Sequence, residues 1–526
     1  MSIDNNDTIA AIASASGNGS ISIIRVSGSE SICVVDSIFY KSLSYSDKRH
    51  TGFSTDKSTS ASAINENRAY LINADTHTVH HGWIGSSADD LIDEALVLIM
   101  RAPKSYTAED VVEIQCHGGG LAARKILELL IDKGVRLAEP GEFTKRAFIN
   151  GRIDLTQAES VMEIISSKSD LALSTAGKHL RGDVRDKIRS MREVILTDMA
   201  YLEAALDDPE HIELDDYSVT LLSHLSPIEN ELDIILKNAE NGRLISEGIK
   251  TVIVGRPNVG KSSFLNCILR EDRAIVTDIP GTTRDTLEED VRIGGVLLRL
   301  IDTAGIRETS DTVERIGVDK AKSAMEEADL IICVLDASEE ITDEDISLIK
   351  ACRERPGVIL LNKSDLDAVI SVDELIKNDI SDTDDQPIIL EFSAKTGEGL
   401  SELESLLEDL FLKEFYSDNN SYKDSNSYSG SMQQRDVSDH NNNQYNNVIT
   451  GKQFNEPVIT SLRQKEALME VKRSFERLRK TIDDGMPEDL LTVDLLAAYE
   501  DLGKVTGDTM EDDLADKIFS DFCIGK

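Results

Sequence analysis

The stretch Gly255–Ser262 reads GRPNVGKS and follows the apolar run Thr251–Val254. It matches the phosphate-loop pattern G-x-x-x-x-G-K-S, and the residues after it, SSFLNCIL, have the apolar spacing of a helix. In such a loop the glycines let backbone N–H groups close around a β-phosphate, and the helix N-terminus adds a positive dipole. Lys261 is expected to reach the β- and γ-phosphates, and the Ser262 hydroxyl suits Mg²⁺. The stretch therefore predicts a strand, a phosphate loop and a helix that bind a nucleoside triphosphate.

A polar motif follows each apolar run in the surrounding segment, residues 248–414. The runs and their motifs are TVIVG, LLRLIDTAG, LIICVLD, VILLNKSD and PIILEFSAK, and helical patterns separate them. Parallel strands deliver their carboxyl ends to one ligand-binding edge of a sheet. The segment is therefore predicted to form a doubly wound α/β domain.

The nucleotide base is indicated by an N-K-x-D element formed by Asn362, Lys363 and Asp365. The Asp carboxylate can pair with the N1–H and 2-amino groups of guanine while the Lys packs over the ring. Adenine lacks that donor pair, so such a site rejects it. The sequence SAK at 393–395 backs guanine O6, and DTAG at 302–305 places a carboxylate behind the Mg²⁺ shell and a glycine N–H near the γ-phosphate. Together these motifs predict a Ras-like G domain that hydrolyses GTP.

One residue departs from the Ras-like pattern. Ras-like enzymes follow the D-x-x-G element with a Gln that orients the attacking water. Here that position is Ile306, whose side chain cannot hydrogen-bond water. Another group must position the water in this chain.

Composition limits the remaining possibilities. A chain of 526 residues has length for about three domains. Its net charge of −41 argues against a broad basic face for nucleic acid. The acidic start lacks a basic signal segment, and no apolar run approaches the ~18 residues of a membrane helix. The six cysteines form no C-x-x-C pair, so a cytoplasmic protein without a membrane partner is expected.

The segments outside the G domain differ in pattern. Residues 1–155 mix strand and helix signals and predict an α+β domain. Residues 156–247 and 457–526 show helical periodicity, so they are predicted to form one helical domain into which the G domain, 248–414, is inserted. The stretch 415–456 is rich in Ser, Asn, Tyr and Asp and is predicted to be a disordered insertion. His77, His80 and His81 are expected in an exposed turn, and Cys116-His117 at a strand end, without a metal.

Several separated blocks identify a family. They are IVTDIPGTTRD at 275–285, DTIAAIAS, IIRVSG, RAPKSYTAEDVVEIQCHGG, PGEFTKRAFINGRIDLTQAE and the terminal FCIGK. With the G-domain motifs and the phosphate-loop Asn258, they make the chain resemble the MnmE (TrmE) family of tRNA-modification GTPases over nearly its whole length. The resemblance implies a G domain that pairs with its twin across a bound K⁺ instead of using an arginine finger.

The resemblance also assigns residues to the nucleotide site. It implies that K⁺ is held by Asn258, Thr277, Ile279 and Thr282, and Mg²⁺ by Ser262 and Thr283. Glu314 matches the family's water-orienting glutamate, whereas from the pattern alone a solvated helix charge is an equal alternative. Lys261 and Arg307 are the other catalytic candidates. The residues expected to contact GTP are Asn258, Val259, Gly260, Lys261, Ser262, Ser263, Thr277, Asp278, Ile279, Pro280, Gly281, Thr282, Thr283, Asp302, Thr303, Ala304, Gly305, Asn362, Lys363, Asp365, Ser393, Ala394 and Lys395.

The N-terminal domain of that family resembles folate-dependent one-carbon enzymes and dimerises. The resemblance implies a formyl- or methylene-tetrahydrofolate site at Arg25, Glu113, Arg152 and Lys526. A carboxylate can accept the paired N–H groups of a pterin, and cations suit the glutamate tail. Cys523, in the C-x-G-K ending, is either an inert terminal thiol or a functional one.

The function implied is a potassium-dependent GTPase that modifies the wobble uridine of certain tRNAs. It would act as a homodimer with a MnmG-type partner that carries FAD, and it would add a carboxymethylaminomethyl or aminomethyl group whose carbon comes from tetrahydrofolate. One alternative is an Era- or Der-type ribosome-assembly switch, which would carry an RNA-binding module in place of the folate-like domain. Another is an interaction scaffold whose GTPase has decayed.

Overall fold

We describe a computed structural model of the chain, in which the described residues are 7–15, 19–41, 70–208, 210–211, 217–271, 289–301, 325–352, 356–370, 388–416, 458–487, 489–509, 517–520, 522 and 525. They form two compact units, residues 1–162, 180–199 and 495–526 in the first and residues 163–179 and 200–494 in the second. Among the described residues, no helix is both long and apolar enough to cross a membrane. The predicted disordered insertion lies almost wholly outside them.

The first unit contains a seven-stranded sheet with the strand order β3-β4-β5-β6-β2-β1-β7. Its pairs are antiparallel except β1 with β7, which is parallel. The strands are β1 (Ile9–Ile12), β2 (Ile21–Ser27), β3 (Phe39–Tyr40), β4 (Thr78–Ser87), β5 (Asp90–Met100), β6 (Val111–His117) and β7 (Arg136–Leu137). The mixture of sheet and helix confirms the predicted α+β fold of the N-terminal segment.

The two faces of this sheet are covered differently. Alternate residues of β2, such as Ile24 and Val26, point into a core shared with the helices α1 (Ser31–Ile38) and α2 (Gly120–Asp132). On the opposite face, Phe143 of helix α3 (Glu142–Ile149) packs with Ile9, Ala11 and Ala138. This second face therefore has a covered end beside α3, and the side chains of Arg25 and Glu113 lie next to it.

The predicted exposed turn is confirmed for His77 but was wrong for His80 and His81. His80 and His81 lie within β4, in the long hairpin with β5, and His77 directly precedes that strand. The His80 ring contacts the hydroxyls of Thr78 at 2.8 Å and Tyr70 at 3.2 Å. Strand pairing satisfies the backbone here, and the imidazoles find partners on the pleated surface. Their polar sequence therefore did not require a turn.

The second unit contains the predicted doubly wound sheet, with the strand order β13-β12-β11-β8-β10-β9. All its pairs are parallel except β9 with β10. The strands are β8 (Ile249–Val254), β9 (Glu289–Ile293), β10 (Val296–Leu300), β11 (Leu330–Asp336), β12 (Gly357–Asn362) and β13 (Ile388–Glu391). Two apolar clusters pack on this sheet, as expected for strands buried on both faces.

Helices account for most of the remaining described chain. They are α4 (Leu155–Ser166), α5 (Asp170–Arg181), α6 (Asp183–Asp207), α7 (Tyr217–Glu247), α8 (Lys261–Glu271), α9 (Asp343–Ala351), α10 (Leu400–Tyr416), α11 (Leu462–Asp483) and α12 (Asp489–Thr506). Helices α7 and α11 pack together, and Lys472 pairs with Asp233 across them at 2.6 Å. Leu171 of α5 and Leu244 of α7 pack against the core of the second sheet. The sheet is thus inserted between helical segments, as predicted.

Candidate nucleotide-binding active site

The phosphate loop occupies the turn between β8 and α8, at the carboxyl edge of the second sheet. Two of its glycines are required by geometry. Gly255 has φ 149°, and a Cβ there would lie 2.3 Å from the Val334 carbonyl oxygen. Gly260 has φ 104°, and a Cβ there would lie 2.1 Å from Asn362 Nδ2. Any larger residue would push the loop away from the neighbouring strands.

Asn258 and Lys261 are the two residues of the loop predicted to contact K⁺ and the phosphates. Asn258 adopts a left-handed conformation, with φ 66°, which asparagine tolerates better than most residues. Lys261 Nζ donates to the carbonyl oxygens of Gly255 at 2.6 Å and Arg256 at 2.7 Å. Burial lowers the pKa of the Lys261 ammonium. These contacts hold its charge against the loop, where phosphate oxygens would replace or join the carbonyl acceptors.

Asn362 connects the phosphate loop to the base-recognition motifs. This side chain is 2% exposed at the end of β12. Its Nδ2 donates to the Val259 carbonyl oxygen at 2.8 Å, and its Oδ1 accepts from the Ala394 backbone N–H at 3.0 Å. One carboxamide therefore joins three motifs that are far apart in the sequence, and the predicted N-K-x-D and SAK elements do meet at the phosphate loop.

The carboxylate predicted to read guanine is held by its neighbours. Ser393 Oγ donates to Asp365 Oδ1 at 2.8 Å, and Lys395 Nζ lies 3.4 Å from Asp365 Oδ2. The hydrogen bond from Ser393 is the main cause that holds the pKa of Asp365 below its usual range. Asp365 is therefore ionised and can accept the two N–H donors that guanine offers on one edge.

The other predicted nucleotide residues lie partly inside and partly outside the described part of the chain. Ser262 and Ser263 lie in the first turn of α8, where Ser262 suits a Mg²⁺ ligand. Residues outside are Thr277, Asp278, Ile279, Pro280, Gly281, Thr282, Thr283, Asp302, Thr303, Ala304, Gly305, Arg307 and Glu314. Their roles remain predictions. The strand, phosphate loop and helix, joined by Asn362 to an N-K-x-D element, define a P-loop GTPase.

Comparisons with known proteins narrow this class to a family. The family models described as MnmE helical domain and GTP-binding protein TrmE N-terminus match residues 155–523 and 8–152. The chain belongs to the MnmE (TrmE) family of tRNA-modification GTPases. The tRNA modification GTPase MnmE of Lachnoclostridium phytofermentans is 44% identical over 520 residues, which cover 99% of each chain. The protein of the same name from Lactobacillus johnsonii is 41% identical and covers 99% of this chain and 98% of its own.

The comparison with solved structures returned the G domain of the FeoB iron transporter of T. maritima. It is 26% identical, covers 30% of this chain and 94% of its own, and has a TM-score of 0.22.

The family match also bears on the alternatives raised from the sequence. It confirms the predicted architecture, and it decides against an Era- or Der-type switch and against a scaffold without GTPase activity.

A second candidate site lies on the N-terminal sheet. Arg25 of β2 and Glu113 of β6 are register partners, and the Arg25 guanidinium contacts Glu113 Oε1 at 2.9 Å. The Tyr106 ring lies below two guanidinium groups, 5.0 Å from that of Arg25 and 5.1 Å from that of Arg152. Three of the four predicted folate residues are thus brought together around an aromatic ring that sequence reasoning missed. We call Arg25, Tyr106, Glu113 and Arg152 the Tyr106 cradle.

The remaining terminal candidates, Cys523 and Lys526, lie outside the described residues. Their neighbour Gly525 is described, and a Cβ there would lie 2.5 Å from the Ile12 carbonyl oxygen. Ile12 ends β1, the strand that pairs with β2 and aligns Ala11 with Arg25. Gly525 therefore lies close to the strand next to the Tyr106 cradle.

A buried ionic network supports the cradle. Arg146, 3% exposed, donates to Asp7 Oδ1 at 2.5 Å and to Glu142 Oε1 at 3.0 Å, and Arg136 Nη2 donates to Glu142 Oε1 at 2.5 Å. Burial alone would raise the pKa of Glu142, but the hydrogen bonds from Arg136, the Glu139 N–H and Arg146 outweigh it and hold the pKa below its usual range. Helix α3 is thereby fixed at the edge where Phe143 lies 5.6 Å below Arg25.

Proposed function

We propose that this chain is a potassium-dependent GTPase that works with a MnmG-type, FAD-carrying partner to modify the wobble uridine of certain tRNAs. The modification would be a carboxymethylaminomethyl or aminomethyl group whose carbon comes from a tetrahydrofolate derivative. The observation that carries this proposal is the presence of two sites on one chain, a guanine-type nucleotide site and a cradle of Arg25, Tyr106, Glu113 and Arg152.

The conformation of Asn258 supports the potassium role. Its backbone, with φ 66°, exposes the side chain at the phosphate loop, and a carboxamide oxygen is a suitable ligand for a hard cation. Oxygens of Thr277, Ile279 and Thr282 would complete the set. A bound K⁺ would supply positive charge beside the phosphates, where other GTPases place an arginine.

The remaining nucleotide residues would divide the work of hydrolysis. Lys261 would leave the carbonyl oxygens of its own loop and bind the β- and γ-phosphates. Ser262 and Thr283 would hold Mg²⁺. Glu314 would orient the attacking water, which Ile306 cannot do, and Arg307 would assist during the conformational switch.

The Tyr106 cradle suits a folate by its chemistry. Both contacts of Arg25 use Glu113 Oε1, and among the described residues no hydrogen bond engages Oε2, so the carboxylate retains capacity for pterin N–H groups. Arg152 and Lys526 would bind the glutamate tail, and Cys523 would lie near the pocket. Tyr106 would hold the cations in place by cation–π contacts.

The open end of the same sheet face supports a homodimer. Ile21, Val79 and Leu96 are 60%, 60% and 41% exposed, and the strand register places them on the face that carries Arg25 and Glu113. Three exposed apolar side chains continuous with the cradle suit a second copy of this chain. The acidic chain would leave most of the contact with tRNA to the partner protein, and the proposed location is the cytoplasm.

The first experiment compares GTP hydrolysis in K⁺ and in Na⁺ for the wild type and for Asn258→Gly. Glycine tolerates the left-handed backbone, so this variant loses only the carboxamide. We expect K⁺ to stimulate the wild type by about tenfold or more and the variant far less. Equal turnover of the wild type in both salts would refute the potassium role.

The second experiment analyses tRNA nucleosides from a deletion strain. Loss of the modified wobble uridine, restored by the wild-type gene, is expected. Unchanged tRNA would refute the modification role while leaving the GTPase intact.

A further inference from the structure

The segment between β11 and α9 carries two buried carboxylates that contact opposite halves of the nucleotide site. Asp336 ends β11 and is 3% exposed, and Asp345 lies in the first turn of α9 and is 2% exposed. Each accepts from a cation that belongs to a nucleotide motif. Asp336 ends the run LIICVLD, but neither carboxylate was assigned a role from the sequence.

Asp336 contacts the guanine half. Its Oδ2 pairs with the Lys363 ammonium, and its Oδ1 accepts from the Ser338 N–H at 3.0 Å and from Ser338 Oγ at 2.6 Å. The next residue along the segment, Ala337, donates its N–H to the Asn362 carbonyl oxygen at 2.9 Å. Lys363 has φ 68°, and its ammonium is held by the buried Asp336 carboxylate. With the ammonium held, the aliphatic stem is available to lie over a base.

Asp345 contacts the phosphate half. Its Oδ1 accepts from Arg256 Nε at 2.8 Å, and its Oδ2 accepts from the Thr342 N–H at 3.0 Å and from Thr342 Oγ1 at 2.9 Å. Arg256 also offers its carbonyl oxygen to Lys261 Nζ. The same arginine therefore joins the start of α9 to the phosphate loop, two positions before Asn258.

A second acidic group near Arg256 is less able to act as the anchor. Glu339 Oε2 lies 3.4 Å from Arg256 Nη2, and its side chain is 59% exposed. Exposed ion pairs contribute little because water screens them. The buried carboxylate of Asp345, with three hydrogen bonds, is the fixed point.

We propose that Asp336 and Asp345 are positioning residues for the GTP site, Asp336 through Lys363 at the base and Asp345 through Arg256 at the phosphate loop. This inference rests on the proposed GTPase function and deepens it. The two carboxylates act on different parts of the nucleotide. We therefore expect loss of Asp336 to change nucleotide affinity and loss of Asp345 to change the K⁺ requirement.

The test uses the full-length variants Asp336→Asn and Asp345→Asn, which keep the size of each side chain. Affinity is measured with a fluorescent GDP analogue, and the K⁺ concentration for half-maximal GTP hydrolysis is measured separately. Asp336→Asn is expected to weaken GDP binding about tenfold and to leave the K⁺ requirement unchanged. Asp345→Asn is expected to keep GDP affinity within about threefold and to raise the K⁺ requirement about fivefold, because it releases the loop beside Asn258.

Control variants separate positioning from general stability. Thr342→Ala weakens the cap of α9 but leaves the Arg256–Asp345 contact, and Glu339→Gln removes only the exposed partner. Both are expected to retain the wild-type K⁺ requirement. Arg256→Lys should reproduce the effect of Asp345→Asn, since a lysine cannot copy the guanidinium geometry.

Wild-type values in both Asn variants would overturn the proposal. So would equal loss of both readouts in step with a lowered melting temperature, because that pattern denotes a structural role only. If the wild type itself neither binds GDP nor responds to K⁺, the proposed function fails first. The two failures are therefore distinguishable.

Discussion

The nucleotide site and the Tyr106 cradle both combine cations with carboxylates on strands, but they are assembled differently. In the nucleotide site, short contiguous motifs end neighbouring parallel strands, and a single side chain, Asn362, joins them. In the cradle, residues as distant as Arg25 and Glu113 meet because two antiparallel strands set their register. The first site depends on backbone conformation, whereas the second depends on side-chain partners. Substitutions should therefore affect the two sites by different mechanisms and by different amounts.

The largest effect is expected from a substitution that disturbs the backbone of the phosphate loop. In Gly260→Ala the new Cβ would collide with Asn362 Nδ2 at a positive φ, so GTP affinity should fall by about 4 kcal/mol, or about 1,000-fold. Fluorescent-nucleotide titration measures it. Gly485→Ala is the matched control, since Gly485 has φ 63° but a Cβ there meets no atom within 4 Å. Similar nucleotide affinity in the two variants would contradict the steric argument.

The network beneath the cradle should give the next largest effect, and it should depend on pH. Glu142→Gln removes the buried carboxylate that Arg136 and Arg146 share, although both keep Asp7, and should cost about 3 kcal/mol of unfolding free energy at pH 7. Because the folded-state pKa of Glu142 is lowered, its contribution is present above the ordinary value of about 4.3 and is lost as pH falls through the folded pKa. The difference in unfolding free energy between wild type and variant should therefore disappear in acid.

Fluorescence of Trp83 measures this gap, because it is the sole tryptophan and lies in β4 of the same sheet. Urea titrations at pH 7 and near pH 3 give the two values. A gap that stayed constant between them would show that charge at Glu142 is not the cause.

A smaller effect is expected for the carboxylate within the cradle. Glu113→Gln removes the charge that binds Arg25 and would accept a pterin, so binding of 5-formyltetrahydrofolate should weaken about 30-fold, or about 2 kcal/mol. GTP affinity should not change. Calorimetric titration tests both ligands, with Glu94→Gln as the control because Glu94 forms only an exposed pair with His81. Unchanged folate binding in Glu113→Gln would remove this residue from the site.

The smallest effect is expected at the aromatic ring. Tyr106→Leu keeps an apolar side chain but removes the π face under Arg25 and Arg152, which should weaken folate binding about fivefold. Tyr106→Phe loses only the contact with the Thr144 hydroxyl at 2.9 Å and should bind nearly as well as the wild type. A larger loss in the Phe variant than in the Leu variant would indicate that the hydroxyl, and not the ring, is what matters.

The same contrast explains how much the sequence could predict. The phosphate loop, the N-K-x-D element and their strands were predicted because each motif is contiguous and ends an apolar run. Tyr106 was missed because nothing in linear spacing reveals which loop residue lies beneath two arginines. Asp336 and Asp345 were missed for a similar reason, since their roles arise only when β11 and α9 pack beside the nucleotide loops. His80 and His81 were misplaced because cross-strand pairing outweighed their polar character.

The contacts of Asn362 also separate two duties that are usually assigned to one motif. The carboxamide nitrogen donates a hydrogen bond to one loop, and the carboxamide oxygen accepts one from another loop. An aspartate would set an oxygen against the Val259 carbonyl, and a serine would be too short to span both loops. Asn362 of the N-K-x-D element thus holds the loops together, whereas Asp365 is predicted to recognise the base. We therefore expect that substitution of Asp365 changes the purine preference without disturbing the hydrogen bonds that Asn362 makes to the two loops.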